Sequence, residues 1–205
     1  MKQFILFSSF LLVGTSTCSA QDAPVEISVY YESLCPDSVE FIVVELDPVF
    51  KLFGDAINVQ FKPYGIAETT GEEGSWEFTC QHGPNECYGN MMHACLINLV
   101  PEQGDIVPLI DCIMSKSPAS IATAELCMGR ITNPVDIALV EECILVDGPS
   151  LLYNYGVETE NLNPQLSFVP WILFNGEFIE EDWNNSLTDL QGVLCSKYIP
   201  DHPAC

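Results

Sequence analysis

The chain has 205 residues, enough for one ordinary domain or for one domain that carries a sizeable insertion. Its hydrophobic content of 48% supports a packed core and excludes a largely disordered chain. With 6 basic against 29 acidic residues and a net charge of −23, the surface repels phosphate, so nucleic acid and anionic membranes are poor partners.

The N-terminus has the pattern of a secretory signal peptide. Met1-Lys2 supplies positive charge, residues 4–13 are apolar, and Cys18-Ser19-Ala20 offers the small residues that precede a cleavage site. A signal anchor is the less favoured alternative, because a membrane span needs about 20 apolar residues. The sequence therefore predicts a signal peptide at 1–20 and a single mature domain at 21–205 that contains no membrane span.

A strand, a helix and a second strand are predicted at the start of the mature chain. Residues 26–31 alternate in polarity, as a half-buried strand does, and residues 57–61 alternate again. Between them, apolar residues follow at helical spacing from Pro36, with Pro48 expected to bend this helix and Gly54 to end it. This βαβ order predicts a parallel pair of strands with a right-handed connection.

The region from about residue 65 to residue 155 is predicted to be a helical insertion. Asn133-Pro134 is typical of a helix start and Asp147-Gly148 of a helix stop. Cysteines distributed among short helices indicate that disulfides staple this insertion. The apolar patterns predict four helices, at residues 91–100, 106–114, 119–128 and 135–146.

An α/β part is predicted to resume near residue 168. Residues 169–174 form a continuous apolar run, as in a central strand. Asn175-Gly176 is a hairpin signal, so residues 177–180 would form the returning strand. Residues 186–189 resemble a capping box that opens a final helix to about Cys195. The order βαβ, helical insertion, ββα predicts an α/β fold.

The mature chain has an odd number of cysteines. Ten cysteines minus Cys18 leave nine, and most should pair in an oxidising compartment, so one is free or bonded to another molecule. Cys35 stands apart from the rest and is the natural unpaired residue. The other eight would form four disulfides, in a pairing that spacing leaves open: Cys80, Cys87, Cys95, Cys112, Cys127, Cys143, Cys195 and Cys205.

Cys35 is placed to act as a nucleophile. It lies between a predicted strand end and a predicted helix start, where free N–H groups and the helix dipole favour the thiolate. The thiolate is the species that attacks disulfides. Residues 35–38 form a CxxS motif, so Ser38 cannot resolve a mixed disulfide, although its hydroxyl could donate a hydrogen bond to the thiolate.

Charges close to Cys35 in sequence oppose this chemistry. The carboxylates of Glu32, Asp37 and Glu40 destabilise a thiolate, and they oppose it less in an acidic compartment, where they are partly protonated. On position alone, a buried or capped Cys35 without a catalytic role is an equally good interpretation.

A second cluster allows a metal interpretation. Cys80, His82, Cys87 and Cys95 are residue types that ligate zinc. The secretory context favours disulfides for these cysteines instead, so no metal is predicted.

The stretch from residue 80 to residue 95 reads CQHGPNECYGNMMHAC and matches CQHGxxECxxNxxxxC. In this signature the chain resembles the gamma-interferon-inducible lysosomal thiol reductase family. Cys35-Pro36 stands upstream, where the family carries its active-site cysteine, and residues 167–171 and 194–205 resemble later parts of the family sequence. All fixed positions of the signature are present: Cys80, Gln81, His82, Gly83, Glu86, Cys87, Asn90 and Cys95.

The resemblance implies a thioredoxin-like fold with a disulfide-bearing helical insertion. It implies a thiol-disulfide oxidoreductase that reduces disulfides of unfolded proteins at acidic pH, with Cys35 and Ser38 in the catalytic motif. Val169 and Pro170 would form a cis-proline bond that faces Cys35 and binds the substrate.

The chain departs from the family pattern at Ser38, where typical members have a second cysteine. Cys35 would then depend on an external small thiol, such as cysteine or glutathione, and no other cofactor is expected. The alternative is a secreted or lysosomal binding protein that keeps the fold and has lost turnover.

The expected location is the secretory pathway, ending in the lysosome or outside the cell, between which the sequence does not choose. The triplet Asn184-Asn185-Ser186 is an acceptor sequence for glycosylation at Asn184.

Overall fold

The computed structural model describes residues 23–116 and 120–205, and the predicted signal peptide lies outside them. Its main sheet has three strands. The central strand β1, Val25–Tyr31, pairs in parallel with β2, Ile57–Pro63, and antiparallel with β5, Trp171–Phe174. The parallel pair predicted from the two alternating segments is confirmed.

After a loop at residues 32–35, the connection from β1 to β2 is helical. It begins as α1, Pro36–Glu40, continues as a π-helical stretch, Phe41–Leu46, and ends as α2, Asp47–Phe53. The π-helical stretch lies directly before Pro48, where a missing N–H interrupts the normal ladder. Gly54 ends the helix with a φ of 50°, as predicted.

The insertion contains five helices in the described residues, with short β-strands before them. The strands β3, Glu68–Thr70, and β4, Glu77–Thr79, form an antiparallel hairpin that the sequence did not predict. The helices are α3, Pro84–Leu99, α4, Gln103–Met114, α5, Ile121–Met128, α6, Ile137–Val146, and α7, Gly148–Glu160.

Two helix starts in the insertion differ from the prediction, and the predicted helix stop at Asp147-Gly148 is confirmed. Ser120 caps α5, with its Oγ accepting the Thr123 N–H at 3.2 Å. Asp136, not Asn133-Pro134, caps α6 by accepting the Ala138 N–H at 3.0 Å. Asp147-Gly148 ends α6 but also begins α7, because Pro149 suits the first turn of a new helix.

Four disulfides join the eight cysteines other than Cys35 in the described residues. Cys95–Cys143 links α3 to α6, Cys112–Cys127 links α4 to α5, and Cys80–Cys87 closes the turn before α3. These three are buried, whereas Cys195–Cys205 near the C-terminus has an exposed member, Cys205. The disulfide-stapled insertion is thus part of the fold.

The segment after β5 differs from the prediction. Asn175 and Gly176 have φ values of 52° and 77°, as a tight hairpin turn requires. The predicted returning strand is wrong, because only Glu177 bridges back to Phe174. Phe178 leaves the sheet edge to stack on Trp171, with ring centroids 3.8 Å apart.

The final helix begins earlier than predicted. It is α8, Glu180–Val193, followed by a π-helical turn, Leu194–Tyr198. The predicted capping box is wrong, because Ser186 lies inside α8 and its hydroxyl donates to the Trp183 carbonyl at 2.8 Å. Asp189 instead interrupts α8 and its Oδ1 accepts the Gly192 N–H at 2.9 Å.

The sheet separates two apolar clusters. Ile27, Val29 and Tyr31 point into the main core beneath the helices. Tyr30 and Trp171 point to the other face, into a smaller cluster with Leu173. Among the described residues, no helix is long and apolar enough to cross a membrane.

Two helical glycines test how closely α7 packs. A Cβ at Gly156 would lie 2.7 Å from the ring of buried Tyr64, whereas a Cβ at Gly104 in α4 would meet nothing within 4 Å. We expect Gly156→Ala to lower the free energy of unfolding by about 1–3 kcal/mol, as overpacking does. Gly104→Ala is the matched control and should raise it by up to about 1 kcal/mol. Denaturant unfolding measures both, and equal effects would contradict the close packing.

Candidate active site

Cys35 is the N-cap residue of α1 and lies at the C-terminal end of β1. Its N–H donates to the Glu32 carbonyl at 3.3 Å, and its carbonyl accepts the Val39 N–H at 2.9 Å. Its Sγ lies 3.8 Å from the carbonyl oxygen of Val169. The Val169–Pro170 bond is cis, so the structure brings together Cys35 and the cis-proline segment that the resemblance implied.

Ser38 has a different partner from the one considered in the sequence. It is fully buried, and its Oγ accepts the Glu32 N–H at 3.4 Å. No hydrogen bond between Ser38 and Cys35 occurs in the part of the chain that the structure describes. Ser38 therefore helps to fix the loop between β1 and α1.

The signature stretch forms the turn before α3 and the first turns of that helix. Asn90 is fully buried, and its Oδ1 accepts the Ser33 N–H at 2.8 Å. The Ser33 hydroxyl donates to the Glu86 carbonyl at 3.2 Å. Two signature residues from the insertion thus hold the loop that leads to Cys35.

His82 is fixed by two carboxylates that meet at the same ring nitrogen. Its backbone N–H donates to Glu86 Oε1 at 2.9 Å, and its Nδ1 lies 2.6 Å from Glu86 Oε2. The second carboxylate, Glu32 Oε2, lies 3.5 Å from Nδ1. Both glutamate side chains are fully buried, whereas the His82 side chain is 34% exposed.

The Glu32 side chain packs so closely against residue 65 that only glycine fits there. Gly65 has a φ of 65°, and a Cβ there would lie 2.3 Å from Glu32 Cγ. The next amide, Ile66 N–H, donates to Glu32 Oε1 at 2.8 Å. Burial raises the pKa of Glu32 to about 7; the Ile66 hydrogen bond and His82 lower the pKa, while Glu86 raises it.

A small cavity lies between Cys35 and residues of the signature. It has a volume of about 130 Å³. The sequence did not indicate that Ile66 or Phe168 belongs to this site, because only the folding of the chain brings them close to Cys35. The cavity is lined by Cys35, Pro36, Asp37, Ile66, Gln81, His82, Phe168 and Val169.

The zinc interpretation of the signature cysteines is wrong, because Cys80 pairs with Cys87, and Cys95 pairs with Cys143. A different group, Glu32, His82 and Glu86, offers one ligand atom each within 4.8 Å of one another. The 2.6 Å contact within this group is a hydrogen bond, so its geometry is explained without an ion.

Asn184, the predicted glycosylation site, is exposed on α8, whereas Ser186 of the same triplet is buried. Glycosylation stays a prediction.

The sheet, its helical covering and a cysteine at the start of the first helix define a thioredoxin-like fold. The oxidised BdbD protein of Bacillus subtilis superimposes with a TM-score of 0.59 and 13% identity, over 84% of this chain and 89% of that chain. DsbA of Chlamydia trachomatis gives a TM-score of 0.57 and 12% identity over the same shares. At this identity the likeness shows the fold alone.

The family follows from the sequence comparisons. The model for gamma interferon inducible lysosomal thiol reductase (GILT) matches residues 26–131. The gamma-interferon-inducible lysosomal thiol reductase of Carassius auratus is 34% identical over 89% of this chain and 72% of its own length. GILT-like protein 1 of Drosophila melanogaster is 33% identical over 90% and 78%. The chain belongs to the GILT family, which confirms the resemblance.

The raised pKa of Glu32 predicts that the free energy of unfolding depends on pH. The folded state binds this proton more tightly than the unfolded chain, so the contribution of Glu32 to the free energy of unfolding falls as pH rises from about 4.5 to about 7. Glu32→Gln, which mimics the protonated acid, should become more stable relative to wild type by about 1–3 kcal/mol between pH 5 and pH 8.

Urea unfolding at both pH values measures this difference. Glu40→Gln is the matched control, because Glu40 is exposed on α1. If the curves of Glu32→Gln and wild type stay parallel across this range, Glu32 does not hold a proton in the folded state.

Proposed function

We propose that this protein is a thiol-disulfide oxidoreductase that reduces disulfides of unfolded proteins through Cys35 as its single nucleophile. One observation carries the proposal: the cysteine that stays unpaired in the described residues lines the cavity beside the Val169 carbonyl. The GILT relatives are named as thiol reductases, which supports the same reaction class.

The first step is attack by the Cys35 thiolate on one sulfur of a substrate disulfide. The substrate S–S bond breaks, a mixed disulfide forms between Cys35 and one substrate sulfur, and the other substrate sulfur leaves and takes a proton. In this proposal Val169 and Pro170 contact the substrate backbone beside the reacting sulfurs.

Ser38 leaves the mixed disulfide without an internal resolving thiol. A small external thiol, such as cysteine or glutathione, therefore completes the cycle in two steps. The first thiol displaces the substrate and forms a disulfide with Cys35. A second thiol attacks that disulfide, so that Cys35 is released and the two small thiols leave as an oxidised pair.

Glu32 supports activity at acidic pH. Its pKa of about 7 leaves it mostly protonated at pH 5, which removes a negative charge from the loop that carries Cys35. A carboxylate in this loop would otherwise disfavour the thiolate.

The proposed location is the secretory pathway, in the lysosome or outside the cell. Four disulfides are typical of an oxidising compartment. The fish and mouse relatives are named as lysosomal proteins.

A second candidate function is a binding protein without turnover, and Ser38 is the observation that favours it. A Cys35 that forms a mixed disulfide and is resolved slowly would retain its partner instead of releasing it. The two candidates differ in whether Cys35 is needed for catalysed reduction.

Replacement of the nucleophile tests the enzyme. We expect the mature chain to reduce a denatured, disulfide-bonded protein at pH 5 and pH 7 when a small thiol is present. Cys35→Ser should reduce the rate to that of the thiol alone, because no other described cysteine is free. Ser38→Ala keeps the nucleophile and is the control. Equal rates for wild type and Cys35→Ser, both at background, would leave the binding protein as the remaining candidate.

Restoration of the missing thiol tests the role of Ser38. We expect Ser38→Cys to release a substrate thiol from its mixed disulfide in a single turnover without any added thiol. Wild type and Ser38→Ala should remain as the mixed disulfide under the same conditions. Mass spectrometry after an acid quench measures the adduct, and release by wild type at the rate of Ser38→Cys would show that resolution does not need a second cysteine.

A further inference from the structure

We infer that His82 is the proton-transfer group for the external thiol, and that the cavity beside Cys35 is therefore a binding site for a small thiol as second substrate. This inference rests on the proposed function, because it concerns the step that Ser38 cannot perform. His82 and Cys35 line the same cavity of about 130 Å³.

The orientation of the His82 ring leaves one nitrogen for this task. Nδ1 lies 2.6 Å from Glu86 Oε2. A carboxylate oxygen only accepts hydrogen bonds, so Nδ1 is the donor and carries a proton. The neutral ring then carries its proton on Nδ1, and Nε2 presents a lone pair. No hydrogen bond to Nε2 occurs among the residues that the structure describes, and the His82 side chain is the exposed member of its cluster.

The second carboxylate distinguishes a working base from a simple helix cap. The contacts between Glu86 and His82 could serve only to order the turn before α3. Glu32 adds a fully buried carboxylate whose Oε2 has no hydrogen-bond partner and faces Nδ1 at 3.5 Å. When Nε2 takes a proton, positive charge develops on the ring, and the Glu86 carboxylate stabilises it together with Glu32 in the molecules in which Glu32 is ionised near neutral pH.

In the resolving step, His82 takes one proton from the external thiol and later returns it to the leaving substrate. Nε2 takes the proton of the external thiol, and the resulting thiolate attacks Sγ of Cys35 in the mixed disulfide. The bond between Cys35 and the substrate sulfur breaks, a bond between Cys35 and the external sulfur forms, and the substrate leaves as a thiolate. The imidazolium returns the proton to that thiolate, so the ring is neutral again.

A base is useful here because an ordinary thiol, with a pKa of about 8.5, is mostly protonated at or below neutral pH. Proton transfer by a positioned side chain contributes typically 10²–10⁴-fold to a rate. The benefit depends on the acidity of the thiol, because an acidic thiol is already ionised and needs no base. This dependence separates proton transfer from a purely structural role.

The experiment isolates the resolving step in the full mature chain. A mixed disulfide is formed between Cys35 and the coloured thiol thionitrobenzoate, whose release is followed by stopped-flow absorbance at pH 7. The external thiol is either 2-mercaptoethanol or the more acidic trifluoroethanethiol. Wild type is compared with His82→Gln and with the control His202→Gln, whose replaced ring lies near the C-terminus and packs against Phe53.

We expect His82→Gln to resolve at least about tenfold more slowly than wild type with 2-mercaptoethanol, and within about threefold of wild type with trifluoroethanethiol. Formation of the mixed disulfide should stay within about threefold. Glu86→Gln, a positioning variant, should show a smaller loss with the same dependence on thiol acidity, which keeps the test open if His82→Gln folds poorly.

Three results would overturn the inference. They are equal slowing with both thiols, no slowing with either, and a loss confined to formation of the mixed disulfide, which would assign His82 to the Cys35 thiolate instead. Each of these leaves Cys35 as the nucleophile. If Cys35 forms no mixed disulfide at all, the proposed function fails and this inference fails with it.

Discussion

The loop between β1 and Cys35 is held by buried hydrogen bonds from other parts of the chain. Asn90 accepts the Ser33 amide, the Glu86 carbonyl accepts the Ser33 hydroxyl, and Glu32 accepts the Ile66 amide. The two bonds of Ser33 satisfy groups that water cannot reach, and an unpaired buried donor costs about 1–3 kcal/mol. Displacement of the loop from α3 would therefore cost free energy. The same hydrogen bonds thus hold the cavity between Cys35 and His82 in place.

The site is shared between the sheet and the insertion. Cys35 follows β1 and the Val169 carbonyl precedes β5, whereas the turn before α3 supplies the exposed imidazole of His82. The Cys80–Cys87 disulfide closes that turn, and Cys95–Cys143 ties α3 to α6. The cross-links of the insertion thus act on the geometry of the site as well as on the stability of the helices.

Local patterns in the sequence predicted the elements whose cause is local. Alternation located β1 and β2, Gly54 marked the end of α2, and the CxxS motif placed Cys35. The prediction of a returning strand failed because the path of this segment depends on a tertiary contact, the stacking of Phe178 on Trp171.

The candidate site divides in the same way. The signature named His82, Glu86 and Asn90, but their roles follow from contacts with the β1–α1 loop that no spacing reveals. Glu32 packs against Gly65, 33 positions along the chain, where the absence of a side chain lets the backbone lie close to the carboxyl group.

Burial also affects the protein's own disulfides. A reductant that recycles Cys35 would cleave any disulfide it could reach, yet six of the eight paired cysteines are less than a tenth exposed. Burial of these six cysteines limits the access of such a reductant, and Cys195–Cys205, which has an exposed member, is the disulfide that it would reach first.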